Sequence, residues 1–381
     1  MSEFTLEIPT KVYFGNDITE KAIEQESRWI HGIVMLITTG RTLTKLGYVK
    51  NLTELLEKLP GVGKVLVFDK ISSNPRLSEV KEAVRIGKTN GVNCVIGFGG
   101  GSALDAAKAA AVGIGSDKTL ESYLLNGDVP GPETLPVIAM PTTAGTGSEL
   151  SKGAILSSPE HHIKAGIRGE HIYPKAAIVD PVYTWSVPKK VTMETGFDVL
   201  AHGIESFLAV KSTPFSELLS EKAISIVAEY LPALYKNMDN KAAREAMSYA
   251  SMLMGINLAN VGTCLPHRMQ YVIGAVTDTS HGAGLAALYP AWITREFEVN
   301  PVKVRRLLSV LSDQTVESRE EAGICIRNFL EQLDLVYTLG SLGIKSEELP
   351  GLSEAVTGNL KNDSLSINQG CISDIFAESF H

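Results

Sequence analysis

Asp198 and His202 stand four residues apart in the run Glu194-Thr195-Gly196-Phe197-Asp198-Val199-Leu200-Ala201-His202-Gly203-Ile204-Glu205. On a helix this i,i+4 spacing puts a carboxylate and an imidazole on one face, where both can reach a single metal ion. The same pair also reads as an ordinary Asp–His hydrogen bond that steadies helix packing. Glu205 reads equally as a helix-surface residue or an interhelical ion partner. His267 and His281 lie on either side of Met269, Gln270, Tyr271 and a turn expected at Gly274, and the apolar sequence around them predicts that both imidazoles are buried. A buried histidine needs a hydrogen-bond or metal partner. If these two join Asp198 and His202, three nitrogens and one oxygen suit Zn2+ or Fe2+ and lack the oxygen-rich shell of calcium or magnesium.

A second group of residues suits a phosphate-bearing ligand. Cys94-Val95-Ile96-Gly97-Phe98 reads as a strand that runs into Gly99, Gly100, Gly101 and Ser102, and Asp105 with the alanines through Ala111 then favours a helix. Glycines at such a strand-to-helix turn present free backbone N–H groups to an anion. The apolar run 135–140 leads into Pro141-Thr142-Thr143-Ala144-Gly145-Thr146-Gly147-Ser148-Glu149, whose small residues and hydroxyls can wrap around phosphate, ribose or a nicotinamide ring. Either segment alone is also a plain surface turn; the two together favour a dinucleotide. Lys164 either adds positive charge nearby or is solvated.

These residues need a scaffold, and hydrophobic patterning supplies one. Strands are expected at 33–39, 64–68, 94–98 and 135–140, with a helix over 76–90 covering one face of a parallel sheet. After Val179-Asp180-Pro181 the pattern shifts to long helices at about 193–209, 216–235, 241–260 and 302–337, while 341–370 mixes short elements with loops. The organisation expected is an α/β nucleotide-binding domain over residues 1–185 and a mostly α-helical domain over 186–381. A chain of 381 residues, 44% hydrophobic and 20% charged, can bury the cores this requires. Its formal charge of −8 gives no general attraction for nucleic acid or an anionic membrane. The opening MSEFTLEIPTK has no secretory pattern and no later stretch reads as a membrane span, so a cytoplasmic location is expected. Cys94, Cys264, Cys325 and Cys371 are widely spaced, which argues against a disulfide framework.

In their order and spacing, these motifs resemble the iron-dependent, or group III, alcohol dehydrogenase family. The likeness runs from Ile8-Pro-Thr-Lys-Val-Tyr-Phe-Gly15 through Gly99–Asp105, 141–149, Asp180-Pro181 and 195–206 to the His267–His281 segment. It implies a dehydroquinate-synthase-like fold, with an α/β N-terminal nucleotide-binding domain, a mostly α-helical C-terminal domain and an active site between them. By resemblance Asp198, His202, His267 and His281 match the metal positions, and the metal is Fe2+ or Zn2+. Gly99, Gly100, Gly101, Ser102, Asp105, Thr142, Thr143, Thr146, Ser148 and Lys164 fall in the cofactor motifs. The glycine loop departs from GxGxxG, which favours the dehydroquinate-synthase-like variant over an ordinary dinucleotide fold.

The activity implied is NAD- or NADP-linked reduction of a small aldehyde by a homo-oligomer, a dimer by analogy with the family. Gly40 stands where many NAD users of the family carry an acid, which removes a repulsion against a 2′-phosphate that Arg41 can contact. Tyr271 stands where many relatives carry a non-ligating histidine, so it is read as a hydrogen-bond donor to the nascent alcohol or as pocket packing. Arg268 beside His267 suits the anionic tail of an aldehyde such as sulfoacetaldehyde, with phosphonoacetaldehyde and neutral aliphatic or diol-forming aldehydes as alternatives. Two readings of a different class are a metal-dependent lyase and a non-catalytic cofactor-binding protein.

Overall fold

Successive residues of the 33–39 run face opposite ways, and both faces are covered. Met35 and Ile37 join one buried cluster with Val95, Ala106, Ala107 and Ala110, whereas Val34 and Leu36 join another with Ile96, Phe98, Ile138 and Ile178. Strands buried on both faces are the mark of a parallel sheet layered between helices. The computed structural model describes residues 3–161, 163–312 and 315–381. Contacts divide the chain into two units, Glu7–Val187 and Pro188–His381, with residues 3–6 grouped with the second.

The first unit is α/β, a parallel sheet layered between helices. Its strands are β1 (Lys11–Phe14), β2 (Gly32–Thr39), β3 (Val62–Ile71), β4 (Val92–Gly99), β5 (Val137–Pro141) and, after a β6–β7 hairpin (Gly153–Ser158, Ile163–Arg168), β8 (Ala176–Val179). The sheet order is β1-β8-β5-β4-β2-β3, every pair parallel, so β5, β4 and β2 lie side by side. Helix α1 (Leu77–Asn90) and helix α2 (Gly101–Gly115) cross over between strands. The alanines of α2 are buried against the sheet, where small side chains let helix and strands approach closely. The hairpin has no counterpart among the expected strands.

The second unit is mostly helical. Helix α3 (Lys189–Leu208) carries Asp198 and His202, and α4 (Pro214–Lys236) and α5 (Lys241–Asn260) pack beside it. Thr213 accepts the Ser216 N–H to cap α4, and Asn240 accepts the Ala243 N–H to cap α5, so each begins at a side chain able to replace a missing helical partner. Helix α6 (Leu265–Thr277) and helix α7 (His281–Val299) follow.

Two expectations are corrected here. Gly274 is no turn: α6 runs through it, because one buried helical glycine costs only about 1 kcal/mol relative to alanine. The reversal comes at Asp278, whose φ of 55° is left-handed. Among its described residues the stretch 302–337 forms not one helix but two, α8 (Pro301–Leu308) and α9 (Arg319–Glu331), with Ser318 accepting the Glu321 N–H to start the second. No helix among the described residues is long and apolar enough to cross a membrane.

Candidate active site

Asp198, His202 and Glu205 lie at i, i+4 and i+7 along one stripe of α3, and all three are buried. Asp198 Oδ1 is the point of convergence: His267 Nε2 lies 3.4 Å away, His281 Nε2 3.6 Å and His202 Nδ1 3.7 Å. Asp198, His267 and His281 each offer a ligand atom within 4.8 Å of the others. His202 stands beside this trio, its ring stacked on His267 at 4.6 Å between centroids and 29° between planes.

Packing fixes the partners of α3. At the start of α6, Glu205 Oε2 accepts the Cys264 N–H at 2.7 Å and Asp363 Oδ2 accepts the Leu265 N–H at 2.8 Å. Two carboxylates thus hold the positive end of the helix that carries His267. Helix α7 approaches α3 so closely that a Cβ on Gly282 would lie 2.3 Å from the Glu194 carbonyl oxygen, and the residue before this glycine is His281.

The back of each ring is also held. His267 Nδ1 meets Glu205 Oε1 at 2.7 Å, and a carboxylate only accepts, so Nδ1 carries the proton and Nε2 turns its lone pair toward Asp198. Asp198 Oδ1 and His267 Nε2 are both buried without a hydrogen-bond partner among the described residues. Two acceptors facing each other in a buried pocket require a cation or a proton between them, so the donor set fits a divalent metal with nitrogen and oxygen ligands. The electrostatics agree. Burial opposes charge on His267, yet Glu205 and Asp198 outweigh it and raise its pKa to about 10. Burial likewise opposes charge on Asp198, and the imidazoles of His202, His281 and His267 hold it well below the usual carboxylate range.

Around the trio, His281 Nδ1 contacts Gln270 Oε1. The Tyr271 ring lies 6.2 Å from that of His281, and the Arg268 guanidinium lies 5.3 Å from the Tyr271 ring centroid. Arg268 Nη2 donates to Thr263 Oγ1 at 2.6 Å, while its Nε has no hydrogen-bond partner among the described residues. Cys264 is buried, and burial pushes its thiol well up, away from thiolate chemistry.

In the α/β unit, the expected cofactor residues gather at the C-terminal ends of adjacent strands. Gly40 and Arg41 follow β2, Gly99 to Ser102 pass from β4 into α2, and Thr142, Thr143, Thr146 and Ser148 follow β5. The segments touch: the Thr142 N–H donates to the Gly99 carbonyl at 2.9 Å, and a Cβ on Gly101 would lie 2.6 Å from Thr146 Cγ2. No side chain caps α2, which leaves its first N–H groups for an anion. Other members are already engaged. The Ser102 hydroxyl donates to the Ser73 carbonyl, Asp105 Oδ2 accepts the Ile155 N–H at 2.9 Å, and Lys164, on β7, donates to Asn74 Oδ1 at 2.9 Å.

Sequence reasoning missed Lys108. It is fully buried, pairs with Asp105 at 3.1 Å and donates to Ser148 Oγ at 2.7 Å and Ser151 Oγ at 3.1 Å, tying α2 to the segment after β5. Its only signal was a lysine among alanines on an otherwise apolar helix. Glu205 and Gln270 were visible, but not their partners.

Two family models match the chain. Residues 9–181 match iron-containing alcohol dehydrogenase, and residues 192–380 match the C-terminal part of the Fe-containing alcohol dehydrogenase family. A sulfoacetaldehyde reductase of Bilophila wadsworthia is 29% identical over 88% of this chain and 87% of that one. A long-chain primary alcohol dehydrogenase of Thermoanaerobacter ethanolicus is 30% identical over 83% of this chain and 82% of that one. The crystal structure of a sulfoacetaldehyde reductase from Bifidobacterium kashiwanohense in complex with NAD+ superposes with a TM-score of 0.86 at 26% identity, covering 99% of this chain and 98% of that one.

Proposed function

Because the chain belongs to the iron-containing alcohol dehydrogenase family and carries out metal-dependent, NAD(P)H-linked reduction of a small aldehyde to an alcohol, we propose that Asp198, His202, His267 and His281 hold its divalent cation and that its substrate is an anionic aldehyde. The observation that carries the ligand set is Asp198 Oδ1, buried and facing three imidazoles within 3.7 Å. When bound, the cation supplies Lewis acidity to the carbonyl oxygen and the reduced nicotinamide supplies the hydride.

The chain's own residues do the rest. Asp198 and the imidazoles fix the cation, and Glu205 orients His267. N–H groups at the start of α2 bind the pyrophosphate, with Gly99, Gly100, Gly101, Thr142, Thr143 and Thr146 lining it and Asp105, Ser148 and Lys164 bracing the loops. The departure of this loop from GxGxxG supports a dehydroquinate-synthase-like variant of the nucleotide fold. Gly40 and Arg41 accept a 2′-phosphate, so NADP binds as well as NAD. Tyr271 donates a hydrogen bond to the forming alcohol. Arg268, with an Nε unpartnered among the described residues and its guanidinium over Tyr271, holds a sulfonate tail while the aldehyde turns toward the ligands. Sulfoacetaldehyde is the substrate this favours, in line with the named relatives.

Alanine at Asp198, His202, His267 or His281 is expected to remove most of the bound metal with circular dichroism unchanged; full occupancy in a folded variant rejects that ligand. Wild type is expected to prefer sulfoacetaldehyde over a neutral aldehyde of similar size. Arg268→Ala is expected to lower kcat/KM for the anionic substrate by about 10- to 100-fold, the scale of one charge-assisted hydrogen bond, and to spare the neutral one. Equal loss on both substrates rejects the anchor.

A further inference from the structure

Behind two of the three rings that face Asp198 stand different groups. Glu205, fully buried, backs His267, and Gln270, also fully buried, backs His281. A carboxylate can only accept, so His267 has one tautomer available, with Nε2 free to bind. An amide offers an acceptor on one side and a donor on the other. With Gln270 Oε1 toward the ring, His281 Nδ1 holds the proton and Nε2 is a ligand. With the amide turned over, Nε2 holds the proton, points it at Asp198 and cannot bind metal.

Three further observations mark this difference. Gln270 Nε2 is buried with no hydrogen-bond partner among the described residues, so no second hydrogen bond fixes which way the amide faces. Gly284 faces the amide, where a Cβ would stand 2.9 Å from Gln270 Cγ and 3.3 Å from Nε2. The His281 side chain is 27% exposed against 3% for His267, and it begins a helix directly after the reversal at Asp278.

We propose that His281 is the ligand through which the metal enters and leaves, that Gln270 makes it releasable by holding either tautomer, and that Glu205 keeps His267 bound throughout. This rests on the ligand set proposed above. In it Glu205 and Gln270 are positioning residues: neither reaches the cation, and each acts through the ring it backs.

The test is release of zinc from the loaded full-length protein into excess chelator, followed with a zinc indicator. Gln270→Glu keeps the shape, forfeits no hydrogen bond made by Nε2 and leaves only an acceptor. It is expected to slow release by about 10-fold or more, the scale on which partners behind metal-binding histidines act. Glu205→Gln is expected to speed release by a similar factor. A general loss of packing cannot produce slower release. Release from a folded Gln270→Glu protein at the wild-type rate, or faster, overturns the proposal. Should that variant not fold, nitrogen NMR of the imidazoles in metal-free wild type decides: His281 is expected in both tautomers, and a single Nδ1–H form overturns the idea. A His267→Ala protein that still binds zinc fully overturns the ligand set itself, whereas loss there with unaltered Gln270→Glu kinetics overturns only the route.

Discussion

The α/β unit and the helical unit prepare for their ligands in opposite ways. At the ends of β2, β4 and β5 the proposed binding groups are backbone N–H groups and small hydroxyls, and charged residues such as Lys108 and Asp105 brace the loops from behind. In the helical unit the proposed binding groups are side chains themselves, and the backbone is what is pinned, by Glu205 and Asp363 at the start of α6. The first design puts information in where strands end; the second puts it in which residues lie on a stripe and what stands behind each ring. A backbone site should therefore weaken gradually when its braces are cut, and a side-chain site should fail abruptly when helices are forced apart.

Gly282→Ala tests the abrupt side and carries the largest expected effect on ligand binding. The added methyl meets the Glu194 carbonyl oxygen and must push α7, with His281 at its start, away from α3. Stability is expected to fall by about 1–3 kcal/mol, the usual cost of overpacking. Metal affinity, measured by chelator competition, is expected to fall at least 10-fold, the scale seen when ligand geometry is disturbed. Unchanged affinity breaks the comparison.

Lys108→Ala tests the gradual side. Removing a buried cation from among Asp105, Ser148 and Ser151 is expected to cost about 3 kcal/mol in urea unfolding and to raise KM for the nicotinamide, while metal content stays full. Metal loss in this variant would show that the two sites do not fail separately.

The smallest effect lies on α7, where Glu296 sits beside Asp363. Burial, with the neighbouring Asp363 charge, raises the Glu296 carboxyl from its ordinary 4.5 to about 8. The folded chain keeps a proton there that the unfolded chain releases near pH 4.5, so this contribution is full below that pH and is lost as pH rises through 8. Glu149, raised by burial to about 7, adds a slope of the same sign. Glu296→Gln is expected to flatten, without abolishing, the decline in stability between pH 5 and 8. An unchanged slope would place the retained proton elsewhere.

The sequence disclosed these two sites unequally, for physical reasons. The strand-to-helix glycines were readable because local chain chemistry demands them, and the Asp198–His202 pair because helical spacing is local. The meeting of His267 and His281 with that pair is set by a reversal at Asp278 and an approach permitted by Gly282, neither of which has a local pattern. Glu205 was ambiguous since its partner lies 62 residues on. Lys108 was invisible because buried lysines are rare, and only its surroundings, Asp105, Ser148, Ser151 and the Gly153 carbonyl, explain it. Gly274 misled because glycine signals a turn more often than a helix interior.

Helix α3 also acts as a measuring rod. Asp198, His202 and Glu205 share a stripe only while the count of residues between them is kept, since each residue turns the helix by about 100°. One residue inserted between Asp198 and His202 would swing His202 and Glu205 off the stripe together, stranding His267 without the carboxylate behind it. Residues 196–208 of α3 are all buried, so packing constrains its composition while the stripe constrains its count. A designer who moves the site to another scaffold must transplant the spacing before the side chains.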